Sequence, residues 1–462
     1  MATQKESLEK LRIAIYPWFA IGHIGSFLPL AKKLAQNGHH VYFFIPSKTL
    51  SKLSLQNQYP DHLTFIPITV PLVDGLPAGA ETTNDVPDSH VGFLLHAMDQ
   101  TRDSIETRLT QLKPHIVFYE FAYWIPELGL KHGFKSVFYA LSSMASLAYF
   151  APNLKEGKRS SIDELVAPPP GFPTQTFRMH IEEAKGVTKI CENADNLGLG
   201  ITMPQRFFIA FRDCDAIAVK TCMEMEKVYI EYVEKVFGKP VLLGGPMIPN
   251  PSSSKLDEEI DEWLNGFEEG SVVYCALGSE VVLHIDQFHE LVLGLELTGR
   301  PFLAAIRPPK NHNKVESALP EGFIERTKGK GMIKGGWVQQ QQILRHPSVG
   351  CFITHCGLGS LSEAIMISDC QVVLMPQAFE QFINAKMMSL ELKIGIEVEK
   401  GENDKLFTKQ AIQTTVSLAM DQDSQIGKEV RNNHAKLKEI LLKDGLEDSY
   451  IATFIQSLRD LL

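Results

Sequence analysis

Cysteine patterns typical of metal sites and disulfide frameworks are missing from this sequence. Its 462 residues contain seven cysteines, an odd number, and no two of them stand in a Cys-x-x-Cys pair. Such pairs are typical of zinc sites, and an even set of cysteines in a short chain is typical of disulfide-rich secreted proteins. We therefore predict buried thiols in a reducing cytoplasm rather than a disulfide framework or a zinc site.

Long apolar runs and basic clusters are missing too. No run approaches the roughly 18 apolar residues that a membrane-spanning helix requires, and residues 1–17 hold no apolar core of a signal peptide. The net charge is −10, from 45 Lys and Arg against 55 Asp and Glu. Because nucleic acids bind to clustered basic side chains, we expect no nucleic-acid partner. We also expect no integral membrane association, a cytoplasmic location and a monomer.

The composition and the order of the segments indicate an α/β protein of two domains. A hydrophobic content of 44% and a charged content of 22% are those of a soluble globular protein. Strands are expected at 12–16, 41–45, 63–68, 115–119, 136–141, 216–219 and 241–243, and then at 272–277, 302–306, 332–333, 351–354 and 371–375. Because helical patterns separate them, right-handed βαβ units and parallel sheets are favoured.

Three connecting segments carry further predictions. The turn 17–26 precedes an amphipathic helix that Gly38 ends. One long helix is expected over 90–112. Three consecutive prolines at 168–170 predict a long loop over 153–175, because proline removes a backbone donor and breaks regular structure.

The strongest domain boundary follows the strand at 241–243. The sequence there, GGPMIPNPSSSKLDEE, is rich in glycine, proline, serine and charge, which is typical of a linker. We predict one domain over 1–245, a linker over 246–258, a second domain over 259–445 and a final helix over 446–462.

The most informative stretch runs from Trp337 to Gln381 and reads WVQQQQILRHPSVGCFITHCGLGSLSEAIMISDCQVVLMPQAFEQ. It contains an aromatic residue, a histidine beside a glycine-rich helix start, a glutamate one turn later and an acid–amide pair after a strand. An aromatic ring can stack on a base, and amides at a helix N-terminus can hold phosphate. Carboxylates and amides can hold ribose and sugar hydroxyls. Together these parts suit a nucleotide joined through a diphosphate to a sugar.

The order and spacing of these parts resemble the signature box of plant secondary-product glycosyltransferases, the family-1 enzymes that use UDP-sugars. A Gly-His-x-x-x-Phe segment at 22–27 and a central Gly-Gly-Pro linker extend the resemblance over essentially the whole chain. The resemblance implies the GT-B fold, in which two facing Rossmann-like domains with parallel sheets enclose an interdomain cleft. It also implies that the helix at 446–462 returns to the N-terminal domain.

The resemblance assigns a set of residues to the UDP-sugar. These donor-binding residues are Trp337, Val338, Gln340, His355, Gly357, Gly359, Ser360, Glu363, Glu380, Gln381 and, after an earlier strand, Ser279. Taken alone, Trp337 is more typical of a core aromatic, and Glu363 could be a surface acid of its helix. His355 and the small residues after it would hold the diphosphate on helix amides, so we predict no metal and no other cofactor.

Two further pairs concern the sugars. Glu380 and Gln381 are implied to contact the donor sugar, and glutamine at the second position is associated with glucose. Ser142 and Ser143 follow another expected strand and are candidate sugar contacts, although short hydroxyl residues are common at strand ends.

The catalytic base implied by the resemblance is His23. It follows the first expected strand at the carboxyl edge of the sheet, where ligands bind in open α/β folds, and histidine titrates near neutral pH. An isolated histidine there could also merely satisfy helix-end backbone groups. The family orients its base with an aspartate at a strand end, but this chain has Glu120 in the sequence EFAYW. Glu120 is therefore predicted as the partner of His23, with a solvated strand-end carboxylate as the alternative.

Three departures from the family pattern bear on function. The usual His-Cys-Gly-Trp-Asn-Ser reads HCGLGS, with Leu358 and Gly359 in the two changed places. Glycine at the second place resembles the branch that adds a sugar to an existing sugar. Ser26 replaces a common proline, and the box spans 45 positions, one more than usual, with the extra residue expected among 365–368.

We therefore predict an inverting UDP-sugar-dependent glycosyltransferase. It would add a sugar, expected to be glucose, to a hydroxyl of a small-molecule glycoside such as a flavonoid or anthocyanin 3-O-glucoside. Transfer to an aglycone hydroxyl, transfer of xylose or rhamnose, and a terpenoid glycoside acceptor stay open within this class. A catalytically silent protein that binds UDP-sugar or glycoside is the alternative of another class, since Glu120, Ser26 and the inserted residue depart from the family.

Overall fold

The structure, a computed structural model, describes residues 10–54, 57–195, 200–247, 255–401 and 406–462. The described residues divide into two compact units. The first lies within Met1–Thr174, Lys185–Met247 and Gly445–Leu462, and the second within Gln175–Ala184 and Ile248–Asp444. The domain prediction had assigned all residues up to 245 to one domain, so Gln175–Ala184 differs from it. Part of the predicted linker, 248–254, lies outside the described residues.

Within the described residues, seven parallel strands form the sheet of the first unit. They are β1 (Arg12–Tyr16), β2 (His40–Pro46), β3 (Leu63–Ile68), β4 (Ile116–Tyr119), β5 (Lys135–Ala140), β6 (Ala216–Val219) and β7 (Val241–Leu243). Their order is β3-β2-β1-β4-β5-β6-β7. The helices along this part are α1 (Ile21–Gln36), α2 (Ser47–Ser54), α3 (Val91–Gln100), α4 (Arg102–Leu112), α5 (Ile125–His132), α6 (Met144–Glu156), α7 (Ile162–Val166), α8 (Ile181–Asp195), α9 (Met203–Asp213) and α10 (Met223–Phe237).

Hydrophobic periodicity explains how α1 covers this sheet. Its residues Phe27, Leu30 and Leu34 recur at the three- and four-residue spacing of a helix face, and all three are buried in the core of the first unit. The central strand β1 is buried along Ile13–Tyr16, which is typical of a parallel strand with both faces covered. α1 begins at Ile21, so the predicted turn 17–26 is shorter than expected.

The predicted helix over 90–112 is interrupted, and the pair α3 and α4 replaces it. The break lies at Thr101, which is buried. Its Oγ1 donates to the Met98 carbonyl at 2.6 Å and lies 2.6 Å from the Tyr16 hydroxyl. A side chain that bonds a nearby carbonyl competes with the helix ladder, and nothing in the local pattern indicated the tertiary contact with Tyr16.

The predicted loop over 153–175 contains helical structure. α6 continues to Glu156, and α7 follows as a short helix. Ser161 Oγ accepts a hydrogen bond from Glu164 N at 3.3 Å, and Glu164 Oε2 accepts one from Ser161 N at 2.8 Å. This reciprocal capping pattern is readable as Ser-x-x-Glu in the sequence; the three prolines follow only after α7 ends.

The second unit repeats the plan of a parallel sheet. Its described strands are β8 (Val272–Ala276), β9 (Phe302–Ala305), β10 (Gly331–Lys334), β11 (Val349–Thr354), β12 (Gln371–Leu374) and β13 (Gly395–Glu397). Their order is β10-β9-β8-β11-β12-β13. The helices are α11 (Glu258–Leu264), α12 (Ile285–Leu297), α13 (Phe323–Arg326), α14 (Gln340–Arg345), α15 (Leu358–Ile367), α16 (Glu380–Lys386), α17 (Lys409–Met420) and α18 (Gln425–Leu441). β13 was not predicted, because three residues are too few to show periodicity.

The last helix, α19 (Leu446–Asp460), belongs to the first unit. Its Phe454 stacks on Phe118 of β4 with ring centroids 6.1 Å apart. Glu447 accepts a hydrogen bond from Lys33 of α1 at 2.7 Å. Among the helices of the described ranges, none is both long enough and apolar enough to cross a membrane.

Each sheet has a point where the strand order changes direction. In the first sheet the chain runs outward from β1 through β2 to β3 and resumes on the other side of β1 with β4. In the second sheet it runs from β8 through β9 to β10 and resumes beside β8 with β11. Ligands of open α/β sheets bind outside the carboxyl ends of the strands at such switch points. A ligand-binding site is therefore expected at the segments that follow β1, β4, β8 and β11.

Candidate active site

The first switch point brings His23 and Glu120 together. β1 and β4 pair in register up to Tyr16 and Tyr119, so their carboxyl ends are adjacent. Glu120 follows β4 directly, and His23 lies in the first turn of α1. His23 Nδ1 is 2.7 Å from Glu120 Oε2, while the other carboxylate oxygen accepts a hydrogen bond from Trp18 N at 2.6 Å. The longer acid thus reaches the histidine.

This pair has the geometry of an oriented base. The Glu120 side chain is 4% exposed and the His23 side chain 31% exposed. An ionised carboxylate only accepts hydrogen bonds, so it favours the tautomer with the proton on Nδ1 of His23. The second ring nitrogen, Nε2, is then the atom that can take a proton, and Glu120 would stabilise the imidazolium that results.

An aromatic group lies beside the histidine, and the sequence reasoning did not predict it. The Phe121 ring is 5.9 Å from the His23 ring between centroids, and Trp18 and Phe207 are 5.4 Å and 5.3 Å from Phe121. Phe121 was only part of a quoted motif, and Phe207 lies on α9, far along the chain. The Phe121 ring therefore provides apolar surface next to the proposed base, and Trp18, which is buried, and Phe207 both pack against that ring.

Three serines of the first unit have different surroundings. Ser143 is fully buried, and its Oγ accepts a hydrogen bond from Ser146 N at 3.0 Å. Ser143 Oγ therefore caps the start of α6, and the role of Ser143 as a sugar contact stays a prediction. Ser142 is half-buried. Ser26, the residue in place of a proline, donates to the Gly22 carbonyl within α1 at 2.8 Å.

The second switch point holds His355 between two glycines. β8 and β11 pair up to Ala276 and Thr354, so Gly278 and His355 follow adjacent strand ends. A Cβ atom on Gly278 would lie 2.7 Å from His355 Nε2, and one on Gly357 would lie 2.6 Å from the same nitrogen. Only glycine fits at either position without moving the ring.

Burial of His355 sets its charge. Desolvation lowers its pKa from 6.5 to about 4, against an opposing hydrogen bond to the Ala276 backbone. The imidazole is therefore neutral near pH 7. As a neutral ring it can donate one hydrogen bond to an anion while carrying no net charge.

The turn after His355 is held by a residue that sequence reasoning missed. Cys356 has φ of 69°, an uncommon conformation for a residue other than glycine. Asn384, fully buried on α16, donates to the Cys356 carbonyl at 3.0 Å. Gly357 is the N-cap of α15 and has no side chain with which to cover the first amides of that helix. Asn384 lies just beyond the quoted box, and no local pattern points to its contact.

Three of the other predicted donor residues form one hydrogen-bonded cluster. Gln340 Nε2 donates to Glu363 Oε2 at 2.7 Å and to Ser360 Oγ at 3.2 Å. Gln341 Nε2 donates to the second oxygen, Oε1, of Glu363 at 2.9 Å. Glu363 is thus a half-buried, oriented carboxylate rather than a solvated surface acid.

Trp337 and Val338 lie between β10 and α14. The Trp337 side chain is 86% exposed, so it is not the core aromatic that the alternative interpretation required, whereas Val338 is buried. Gly359 is exposed, and a Cβ atom there would meet no atom within 4 Å among the described residues. Ser279 is exposed after β8, and Arg307 Nη1 donates to its carbonyl at 2.9 Å.

The acid–amide pair lies at the start of α16. Gln381 Oε1 accepts hydrogen bonds from Gln377 N and Ala378 N, both at 3.1 Å, so its amide oxygen holds the turn after β12. Its Nε2 is the donor that could meet a sugar hydroxyl. Glu380 begins the helix and is half-buried. Over the described ranges, no group of three or more His, Cys, Asp or Glu side chains is placed to hold a metal ion.

Comparisons with known proteins point to one family. The model of the UDP-glucoronosyl and UDP-glucosyl transferase family matches residues 218–424. Cyanidin 3-O-galactoside 2″-O-xylosyltransferase FGGT1 of Actinidia chinensis var. chinensis is 49% identical over 452 residues, covering 97% of this chain and 98% of the relative. Anthocyanidin 3-O-glucoside 2″-O-glucosyltransferase of Ipomoea nil is 46% identical over 452 residues, covering 97% and 98%.

The fold has close counterparts among solved structures. The crystal structure of UDP-glucose: anthocyanidin 3-O-glucosyltransferase in complex with UDP has a TM-score of 0.77 and covers 98% of this chain and 99% of its own. Its sequence is 20% identical, so the likeness concerns the fold alone. With its two Rossmann-like parallel sheets, the chain has the α/β GT-B fold.

Proposed function

This chain belongs to the UDP-glucoronosyl and UDP-glucosyl transferase family, and we propose that it transfers the sugar of a UDP-sugar to a hydroxyl of a small-molecule glycoside. The observation that carries the chemistry is the 2.7 Å contact of His23 with Glu120 at the first switch point. It joins a titratable nitrogen to a buried carboxylate, which is what a general base requires.

His23 acts as the general base in the proposed reaction. Its Nε2 takes the proton of the acceptor hydroxyl while Glu120 stabilises the charge that forms on the ring. The acceptor oxygen then bonds to the anomeric carbon, the bond from that carbon to the diphosphate breaks, and UDP leaves. Direct displacement inverts the configuration, so α-linked UDP-glucose yields a β-glucoside.

The donor is held by the second switch point in this proposal. Trp337 stacks on the uracil, Glu363 accepts hydrogen bonds from the ribose hydroxyls, and His355 and the first amides of α15 meet the diphosphate. Support comes from the exposed Trp337 ring, the oriented Glu363 carboxylate and the side-chain-free N-cap at Gly357. The helix amides and dipole offset the negative charge that develops on the leaving group.

The acceptor is proposed to be an anthocyanidin or flavonoid 3-O-glycoside, modified at the 2″-hydroxyl of its sugar. The names of both relatives describe 2″-O-glycosyltransferases of such glycosides, and the relatives are 49% and 46% identical to this chain. The ring of Phe121, which lies next to His23 and packs against Trp18 and Phe207, suits a flat, partly apolar acceptor.

Glucose is the proposed donor sugar, and xylose is the second candidate. The family resemblance associates Gln381 with glucose; its Oε1 holds the turn after β12, and in this proposal its Nε2 donates to a hydroxyl of the sugar. Xylose is favoured by one observation: the relative from Actinidia, which is 49% identical, is named as a xylosyltransferase. We further propose that the protein is a cytoplasmic monomer and that transfer proceeds equally well in EDTA, without a metal ion.

A product assay tests these proposals together. Purified protein is offered UDP-glucose or UDP-xylose with cyanidin 3-O-glucoside, cyanidin 3-O-galactoside or cyanidin, and the products are identified by mass spectrometry and NMR. We expect a diglycoside with a β linkage at the 2″ position from a glycoside, and no product from cyanidin.

Each other outcome removes a defined part of the proposal. A monoglycoside made from cyanidin would overturn the acceptor class, and an α linkage would overturn direct displacement. If calorimetry shows UDP binding but no donor and acceptor pair yields product, the proposed acceptor class is wrong, and a catalytically silent binding protein becomes the favoured interpretation.

A further inference from the structure

Arg206 is a buried arginine that lies behind the proposed catalytic pair. It is on α9, and its side chain is 2% exposed. Its Nη1 and Nη2 donate to Asp99 Oδ1 and Oδ2 at 2.8 Å and 2.6 Å, which is a bidentate pair. Asp99 is on α3, 107 residues away in the sequence. Asp99 on α3 therefore holds the planar guanidinium of Arg206 on α9 in one fixed orientation.

The Arg206 guanidinium contacts the segment directly after β4. Arg206 Nη1 also donates to the Phe121 carbonyl at 3.0 Å, and the guanidinium carbon lies 4.9 Å from the centre of the Tyr123 ring. Phe121 is the neighbour of Glu120. Arg206 thus holds the backbone carbonyl of the residue that follows Glu120. Trp18 N and His23 Nδ1 hold the Glu120 carboxylate itself.

Stability alone is a weak explanation for this arrangement. Burying a guanidinium and a carboxylate is costly, and apolar replacements of similar volume often serve the fold equally well. What apolar residues could not supply is a donor for the Phe121 carbonyl and a fixed orientation of the strand end. Such positioning is valuable where a side chain must meet a second group at 2.7 Å, as Glu120 meets His23.

We propose that Arg206, oriented by Asp99, is a positioning residue for glycosyl transfer: it fixes the Phe121 carbonyl and thereby places the Glu120 carboxylate against His23. This inference rests on the proposed role of His23 as general base. Arg206 contacts neither substrate nor reacting atoms in this role, and it acts only through Glu120.

A double-mutant cycle between Arg206 and Glu120 tests the inference. Arg206→Lys keeps the charge but loses the planar fork. We expect it to lower kcat by about tenfold, because a small misplacement of a catalytic group is costly, with the Kd for UDP unchanged. In the Glu120→Gln background the same substitution should change kcat by less than about twofold, because the carboxylate that Arg206 positions is already absent. The loss of thermal stability should be similar in both backgrounds.

The matched control is Arg212→Lys on the same helix, because Arg212 pairs with Asp213 at the surface; it should leave kcat and stability unchanged. If Arg206→Lys does not fold, Asp99→Asn replaces it in the cycle. An equal fall in kcat in both backgrounds, or no fall in either, would refute positioning through Glu120. His23→Ala, measured alongside, reports on the base role separately: a fully active His23→Ala protein would overturn the proposed function whatever the cycle shows.

Discussion

The two switch points have the same strand arrangement but hold opposite kinds of histidine. His23, beside β1 and β4, has a side chain that is 31% exposed and that contacts a buried carboxylate. His355, beside β8 and β11, is enclosed by two glycines, and burial lowers its pKa to about 4. One ring has a partner that would stabilise its protonated form, and the other is kept neutral.

The same sheet topology can therefore support two different chemical roles. In both sheets the topology decides where ligand-contacting side chains lie, which is the edge beside the change in strand order. The neighbours then decide the chemistry, because a carboxylate favours a cationic imidazole, whereas desolvation opposes it. Replacing the neighbours, or the histidines themselves, should therefore affect the two sites in separable ways.

Replacing His23 should give the largest effect and should affect only the first site. His23→Ala is expected to lower kcat by about 10²–10⁴-fold, the usual contribution of a general base. UDP affinity, measured by calorimetry, should stay within about twofold of wild type, because the donor residues of the second sheet are untouched. A variant that keeps more than about a tenth of the wild-type rate would show that another group takes the proton.

His355 should make the stability of the ligand-free protein depend on pH. Its pKa is about 4 in the folded protein and 6.5 ordinarily. The unfolded chain therefore binds more protons between these values, and stability falls as the pH is lowered through this window. Between pH 7.5 and 5.0 the loss due to His355 should be about 2 kcal/mol.

Thermal unfolding of wild type and His355→Gln over this pH range measures that contribution. The variant should lose less of its melting temperature on acidification, even if it is less stable at pH 7.5. Parallel melting curves for the two proteins would mean that His355 is not held neutral by burial. His39, whose pKa burial also lowers to about 4, is common to both proteins and cancels in the difference.

Trp337 should separate donor binding from folding. Its side chain is 86% exposed, so Trp337→Ala should leave the melting temperature unchanged. It should weaken UDP binding by about tenfold, since stacking of a base on an aromatic ring is worth roughly 1–3 kcal/mol. Trp337→Phe should recover most of the affinity. Equal UDP affinity in wild type and Trp337→Ala, measured by calorimetry, would remove the stacking role.

The two glycines of the HCGLGS segment provide the finest comparison. Gly357→Ala should weaken UDP binding by about tenfold, on the order of one lost hydrogen bond to an anion, because its Cβ would lie 2.6 Å from His355 Nε2. Gly359→Ala is the milder change, because a Cβ there meets no described atom within 4 Å, and a smaller loss of UDP affinity is expected. Both affinities are measured with UDP; the opposite ranking would place the diphosphate away from His355.

Much of the fold could be read from local patterns. The strands at 12–16, 63–68 and 216–219 were predicted with their observed bounds, since apolar segments between turn signals can be recognised from neighbouring residues alone. The predictions that failed involve either a contact between residues distant in sequence or an element too short to show a pattern. Thr101 breaks a helix through a bond to Tyr16, and β13 is only three residues long.

The candidate site divides in the same manner. His23, Glu120 and the residues of the box were identified from their order and from the family resemblance. Asn384, Arg206 and the aromatic residue Phe207 were missed, because each acts on a partner that is distant in sequence or outside any motif. Their roles depend on which helices the sheet brings together.

The alternation of strands and helices, the family, and the residue types at each strand end follow from the amino-acid order alone. Three features depend on the folded chain: Glu120 reaches His23 across 97 residues, His355 is neutral between two glycines, and Ser143 is a buried cap. The difference lies in how far apart in the chain the interacting residues are. Periodicity and turn chemistry act between near neighbours, whereas pKa values, burial and hydrogen-bond partners arise from groups that meet only when the sheets have formed.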